Sequence, residues 1–596
     1  MSFRRLGRLA AMVIPTLLCL SCGQVYRPVV IPCSAGGGIP GCPVLPPPTP
    51  ASFHAVFGIS LNAPNNPGGA MQIDVSGDSI IAETSDADPK FGDEPTHAAI
   101  LPNNTRLFVA SAGSILGGVD TVSAFSPALQ TTGTPSFGPI TAINLPSPSA
   151  NISTISESGN TVTVTLTAPL TNALAGYTVV IAGVAIPGCT SPCNANAYNG
   201  AFTISNISGT TFTYTNPAGP LSAATGGTAT FPPQPVFLNS TQNNAMYVAN
   251  YNSNSVSAIN TTSTFVSNTV PVGVHPVALA ETPNGSKIYV ANQGDNTVSS
   301  LNVASLSANV LTGFTGITPV WVTARSDSQK VYVLTQGDGK LVTIDTASDT
   351  AATPDCSVTP TLCVGAGANF IFYDPHLNRL YVTNPANSTV YVFSDTGGAN
   401  DTPVQLAAIP FSLGSATCPS GPSACLPTSV TALADGSRIY VASYQTAASG
   451  CPDNLAGSAA CVIPSLAVFD ANSLTLKTTM TLLAGPQFAA GQYAVAPATA
   501  CGTVPPNPLA LYAPGATRFR VFTSAAVDSS HVYVSMCDAG AIADIVTTNS
   551  NANGTGGGAT QADTVIADFP TAFANGPTQP NGFPPNQNAI FLLTGQ

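Results

Sequence analysis

The chain has 596 residues, with 53 glycines, 53 prolines and only 7% charged residues, and it is rich in Ser, Thr and Asn. Its formal charge is −12, and loss of Arg4, Arg5 and Arg8 with a cleaved signal leaves 12 basic against 27 acidic residues, net −15. A charge of this sign repels phosphate backbones and no basic patch stands out, so no nucleic-acid partner is expected.

Arg4, Arg5 and Arg8 precede an apolar stretch from Leu9 to Leu20, followed by Ser21-Cys22. A positive flank, a short apolar core and a small residue before the cut read as a secretion signal over 1–21. A core of roughly 12 residues is short for a membrane span, and no other apolar run is long enough to cross. Ser21-Cys22 resembles a bacterial lipobox, which implies lipidation of Cys22. Cys19 stands where that pattern prefers leucine, and ordinary secretion is the alternative. Gly23, rather than an aspartate, follows Cys22. This favours the outer membrane or cell surface, with the lipid as the only membrane contact. Residues 22–52, with Gly36 to Gly38 and Pro46 to Pro48, read as a Pro/Gly tether.

Beyond the tether a short phrase recurs: LFVAS at 107–111, MYVAN at 246–250, IYVAN at 288–292, VYVL at 331–334, LYVTN at 380–384, IYVAS at 439–443, VYVS at 532–535 and IFLL at 590–593. Its aromatic positions are Phe108, Tyr247, Tyr289, Tyr332, Tyr381, Tyr440, Tyr533 and Phe591. Tyr247, Tyr289 and Tyr332 lie 42 and 43 residues apart. A proline stands thirteen residues before the aromatic at Pro95, Pro276, Pro319 and Pro427. Turn residues such as Pro283-Asn284-Gly285 fall between, and a second alternating run follows the phrase. Each unit therefore predicts four short strands, A to D. Four-stranded units at this period are the blades of a β-propeller; a β-solenoid or a string of small β-domains is the competing architecture.

The expected fold is all-β: a propeller of eight four-stranded blades, or seven if IFLL is only an added strand, closed by N- and C-terminal strands. IFLL reads as a strand B whose C and D partners are supplied by Met71 to Glu83 near the N-terminus. Residues 53–145 form the first part of the propeller and 233–596 the remainder. Residues 146–232 interrupt it with their own alternating runs and predict a small inserted all-β module.

With its LYVTN phrase, the chain resembles the YVTN family of β-propeller repeats over about 93–135 and 233–596. The resemblance implies a bacterial or archaeal surface or envelope protein, and some related propellers are lactonases or oxidoreductases.

Setting aside Cys19 and Cys22 leaves twelve cysteines. An even number in an exported chain favours disulfides. Spacing suggests Cys33–Cys42, Cys189–Cys193, Cys356–Cys363, Cys418–Cys425 and Cys451–Cys461, with Cys501–Cys537 as the remainder. Among these twelve no CxxC pair supports a zinc site, and no CxxCH supports covalent haem. The cysteine-bearing connections, 354–366, 412–427, 444–464 and 485–518, all belong to the B–C and D–A classes. They and the 146–232 insertion are expected on one face, the additions sitting almost entirely there.

His97 and His275 are placed at the starts of strands A on that face, His376 and His531 in A–B turns opposite, and His54 in the N-terminal segment. Surface positions are expected for them, without convergence. Asp86, Asp88, Asp93 and Glu94 read as a solvated acidic loop. No GxSxG, P-loop or HExxH is present. No catalytic, cofactor or metal residues are therefore assigned. Strand A, judged from Val277-Ala278-Leu279-Ala280, offers mostly small apolar residues to the channel. The reading is a lipid-anchored envelope module, expected to be monomeric, whose elaborated face meets an envelope protein, a peptide or a glycan. A lactonase-like hydrolase with a site at the channel mouth and a structural surface-layer component are the alternatives.

Overall fold

A computed structural model describes residues 55–61, 69–74, 79–83, 92–127, 141–171, 173–185, 197–217, 221–395, 402–447, 461–482, 501–502, 506–514, 518–547, 563–570 and 588–595. Eight four-stranded antiparallel sheets are present, each in the order A-B-C-D. Blade 2 illustrates the unit: Pro95–Ile100, Leu107–Ala112, Asp120–Phe125 and Thr141–Asn144. Blades 3 to 8 follow in chain order, starting from strands A at Pro235–Asn239, Pro276–Glu281, Pro319–Ala324, Phe370–Asp374, Leu426–Ala432 and Val521–Ala525. Every strand A packs against the strands A of both neighbouring blades, so the ring is closed.

Burial follows position in the blade. Strand B of blade 4, Lys287–Asn292, is buried at every residue after the first. A strand covered on both faces reads as a continuous apolar run. The outer strand of blade 3, Phe265–Pro271, is exposed at most positions. In several blades the polar letters of the recurrent phrase have direct partners. Tyr289 Oη donates to Asp349 Oδ1 of blade 5 at 2.6 Å, and Lys287 Nζ lies 2.8 Å from Asp349 Oδ2. Tyr440 Oη repeats this with Asp563 of blade 8 at 2.6 Å, beside Arg438. Asn292 Nδ2 donates to Thr297 Oγ1 and Ser299 Oγ, and Asn250 does the same to Ser255 and Ser257. A buried amide must find such partners, and here it closes the B–C turn.

Closure differs from the expected arrangement. The C-terminal strand, Asn588–Thr594, is the innermost strand of blade 1 and pairs with Ala55–Leu61. Ala55–Leu61 is strand B, followed by Gly69–Asp74 and Ser79–Glu83. The C-terminus thus supplies strand A alone and the N-terminus supplies three strands. The register aligns Phe57 opposite Leu593, as Tyr289 stands opposite Ala280. Phe57, fully buried, is therefore the eighth anchor in place of Phe591. A strand A and a strand B are both short, continuously buried runs, which is why IFLL fits either.

Residues 149–230 form a separate six-stranded closed barrel between strand D of blade 2 and strand A of blade 3. Its core holds Ile155, Val162, Val164, Tyr198, Phe212 and Tyr214, all fully buried. It docks on the B–C turn of blade 3: Thr178 N donates to Asn252 Oδ1 at 2.8 Å, and Asn254 Nδ2 donates to Tyr177 Oη at 2.9 Å. The Tyr177 ring lies 4.8 Å from His275, which stacks on Tyr251 at 4.2 Å.

One-sided elaboration holds for the cysteine-bearing connections but not for all of the long ones. Long connections also occur in the C–D class, between Phe125 and Thr141, Ser394 and Val404, and Val546 and Thr564. The 444–464 connection is partly a hairpin, in which strands B and C of blade 7 stay paired from Tyr444↔Pro464 to Ala447↔Cys461. Disulfides join Cys356–Cys363, Cys418–Cys425 and Cys501–Cys537. Cys22, Cys33, Cys42, Cys189, Cys193 and Cys451 lie outside the described residues, as does the Cys461 side chain.

Ending the chain at Gln587 removes strand A of blade 1 and is expected to abolish cooperative thermal unfolding by circular dichroism. Phe57→Ala should cost about 3–5 kcal/mol in urea unfolding, the range for truncating a buried phenylalanine. A loss under about 1 kcal/mol would remove Phe57 from the anchor position.

Candidate functional site: the channel mouth

The second residue after the start of strand A faces the ring axis, and its equivalents follow from strand register. They are His97, Phe237, Ala278, Trp321, Phe370, Ser429, Phe522 and Phe591. Six of the eight carry a ring, and these rings meet. His97 stacks on Phe237 at 4.0 Å and lies 4.4 Å from Phe591. Phe237–Trp321, Trp321–Phe370, Phe370–Phe522 and Phe522–Phe591 continue the circuit at 5.3, 4.8, 5.9 and 4.6 Å. Phe519, from the connection entering blade 8, fills in against Trp321, Phe370 and Phe522. Edge-to-face and offset ring pairs of this kind are the favoured geometries. The channel is thus occluded by an aromatic plug.

Arg518 lies on this plug. Its guanidinium carbon is 5.6 Å from the Phe237 ring, 5.2 Å from Trp321 and 4.3 Å from Tyr512. Nη2 donates to the carbonyl of Val277 at 2.8 Å, reaching from the entry of blade 8 to the inner strand of blade 4 across the ring. Nη1 is buried without a hydrogen-bond partner, and no carboxylate pairs with Arg518 among the described residues. Burial pulls its pKa down to about 10, which leaves it cationic at neutral pH.

A cleft of about 240 Å³ opens over this group on the elaborated face, lined in part by Gln336, Asn369, Thr428, Tyr444, Tyr512, Arg518 and Arg520. Residues 501–502, 506–508 and 510–512 of the connection between blades 7 and 8 line its outer side, and Cys501–Cys537 fastens them to the B–C turn of blade 8. Gln336 Nε2 donates to the Pro508 carbonyl at 3.0 Å and holds the same connection to blade 5. Arg520 makes a two-pronged pair with Asp538, Nε to Oδ2 at 2.6 Å and Nη2 to Oδ1 at 3.2 Å, and donates to the Gly502 carbonyl. Burial pushes the Asp538 carboxyl up despite that pair.

His97 and His531 are buried, against the surface reading, while His376 is exposed as expected. His97 is 6% exposed and part of the plug, and its Nδ1 accepts from Leu238 N at 3.2 Å. Burial, then the charge of Arg518, holds its pKa well below the usual imidazole range. His531 opens strand B of blade 8, buried, with Nδ1 2.7 Å from Ser530 Oγ. His275 lies against the barrel, His376 stays in an A–B turn, and His54 lies outside the described residues. The four described histidines do not converge, and no group of three metal-ligating side chains occurs among the described residues. Asp86 and Asp88 lie outside the described residues; Glu94 is part-buried, and burial with Asp93 beside it pushes its carboxyl up to about 7.

The plug was missed because the small-apolar expectation rested on Ala278, whose blade is one of two exceptions. Reading the same column in every copy (Pro-x-His97, Pro-x-Phe237, Pro-x-Trp321) would have found the rings of the plug; Arg518 and Tyr512 lie in the connection before strand A of blade 8, outside any repeat column.

No protein-family model and no curated protein matches the chain. Solved structures do resemble it. The periplasmic gluconolactonase of Pseudomonas aeruginosa is 10% identical, covers 91% of this chain and 99% of its own, and gives a TM-score of 0.40. A protein from Lactobacillus plantarum is 12% identical over 72% of this chain and 95% of its own, at 0.39. Kuenenia stuttgartiensis hydrazine synthase is 15% identical over 57% and 87%, at 0.36. Likeness at these levels carries no argument about activity.

Unfolded, His97 titrates near about 6.5; folded, it stays neutral to lower pH. Below about 6.5 the unfolded chain binds a proton the folded chain refuses, so stability falls as pH falls. Urea unfolding between pH 7.5 and 5 should show this, by at most about 1.4 kcal/mol per pH unit for one proton, and His97→Phe should flatten that component. Replacing both Cys501 and Cys537 with serine should cost roughly 3–4 kcal/mol by loop-closure entropy, read as a lower midpoint and faster proteolysis between blades 7 and 8.

Proposed function

We propose that this chain is an exported, lipid-anchored protein of the bacterial envelope that acts as a binding module. Its ligand would seat in the cleft at the channel mouth. One observation carries the reading: a guanidinium with no carboxylate partner among the described residues, at the base of a cleft on a channel closed beneath it by packed rings. Such a site opens on one face only, which is the face bearing the disulfide-held connections. Ordered loops on a rigid scaffold are where recognition resides.

The lactonase-like alternative is less well supported. General acid–base catalysis needs a titratable group within reach of the reacting atoms. The described lining of the cleft includes no Asp, Glu or His. Asp538, nearby, is committed to Arg520. Anchoring rests on the signal-like segment before Cys22.

Metabolic labelling with palmitate should mark the wild-type chain in the membrane fraction, and Cys22→Ala should lose both label and membrane association. Label that persists in Cys22→Ala sinks the anchor. The purified mature chain should leave glucono-1,5-lactone hydrolysis at the buffer rate; saturable turnover would replace the binding reading with the enzymatic one.

A further inference from the structure

We propose that the cleft takes a small organic carboxylate, its carboxylate held by the Arg518 guanidinium and its body packed beside Tyr512. The proposal rests on the reading of the cleft as a binding site and assigns the chemistry of what enters it.

The charge balance is the first argument. The described lining of the cleft contains no aspartate or glutamate, and neither does the chain from Ala471 to Val527. That stretch supplies both the wall of the cleft and Arg518. Arg520 is neutralised by Asp538, so Arg518 leaves the cleft with a net positive charge. Removing an ion from water without an opposite charge is expensive. The three rings offset part of that cost, and an incoming anion would offset more.

Geometry is the second argument. The guanidinium is a planar fork that matches a carboxylate in two parallel hydrogen bonds. Val277 accepts from Nη2, and the rings of Phe237, Trp321 and Tyr512 hold the group in place. Nη1 remains without a partner. The group is therefore oriented before a ligand arrives, which lowers the cost of binding.

Size and lining are the third. A cavity of about 150 Å³ accepts benzene, so a cleft of about 240 Å³ has room for an acid built on one ring. Tyr512, Leu511 and Pro506 offer surface for such a body, and Gln336 and Asn369 offer amides at its edge.

Trp321 is the only tryptophan of the chain and lies beneath Arg518, so its fluorescence reports on this site directly. The mature chain is titrated with benzoate, with benzamide as a neutral match, and with inorganic phosphate. Benzoate should change Trp321 emission saturably, and benzamide should bind at least ~10-fold more weakly, the loss expected for a charge-assisted hydrogen-bond pair. Arg518→Met should weaken benzoate by a similar factor, with Arg518→Lys between the two. Far-UV circular dichroism and thermal midpoints check that the variants fold; where one does not, the benzoate and benzamide comparison on the wild-type chain still decides. Equal affinity for benzoate and benzamide, or an Arg518→Met variant that binds benzoate as wild type does, overturns the carboxylate assignment and leaves the cleft as a binding site. Phosphate binding without benzoate binding also overturns it. If none of the three probes alters Trp321 emission or the thermal midpoint, both the assignment and the cleft reading fall.

Discussion

One antiparallel ladder, between Val56–Leu61 and Asn588–Thr594, holds the ring together. Each blade buries both faces against its neighbours, so an incomplete blade 1 would uncover the inner strands of blades 2 and 8. It would also leave unpaired strand edges, which invite association with other chains. Joining strand A from one terminus to strands B, C and D from the other removes both problems. The pairing links the most distant parts of the described chain, and such contacts form against a large loop-closure entropy. Phe57 and Phe591 mark the two ends of the joint, one fully buried between blades and the other in the channel plug.

Closing the ring brings eight inner strands within reach of one axis, and what they carry then decides what the molecule can do. Small residues would leave a pore. Six rings, with Phe519 added, pack it shut, and the solvent-accessible chemistry moves to the mouth. There the connection between blades 7 and 8 lies over the plug, fixed by Cys501–Cys537 at one point and by Gln336 at another. Arg518 crosses from blade 8 to blade 4, so a single side chain links opposite sides of the wheel. The polar pairs at the rim serve a different purpose. Tyr289–Asp349, Tyr440–Asp563 and Arg325–Asp395 join neighbouring blades and are satisfied within the scaffold.

Much of this was legible in the sequence. The Tyr-Val-x-Asn phrase marks strand B because a strand buried on both faces needs an unbroken apolar run. Its asparagine marks the turn that follows, because a buried amide needs turn hydroxyls. The 42- and 43-residue spacing from Tyr247 to Tyr332 is that of a blade. The strand assignment of Ile590–Leu593 was not legible, since strands A and B are both short, continuously buried runs and only pairing partners tell them apart. His97 reads as a surface residue at the start of strand A; its burial comes from Phe237 and Phe591, far away along the chain.

The sequence by itself determined the repeating unit, the order of its strands and the classes of connection that carry cysteine pairs, because these depend on local alternation, turn residues and spacing. Tertiary structure alone decided the three-plus-one closure, the occlusion of the channel and the exposure of Arg518 to a cleft rather than to a carboxylate. Those outcomes depend on which side chains meet at an axis that no single blade contains. Convergence of that kind arises only when distant segments are packed into the same ring.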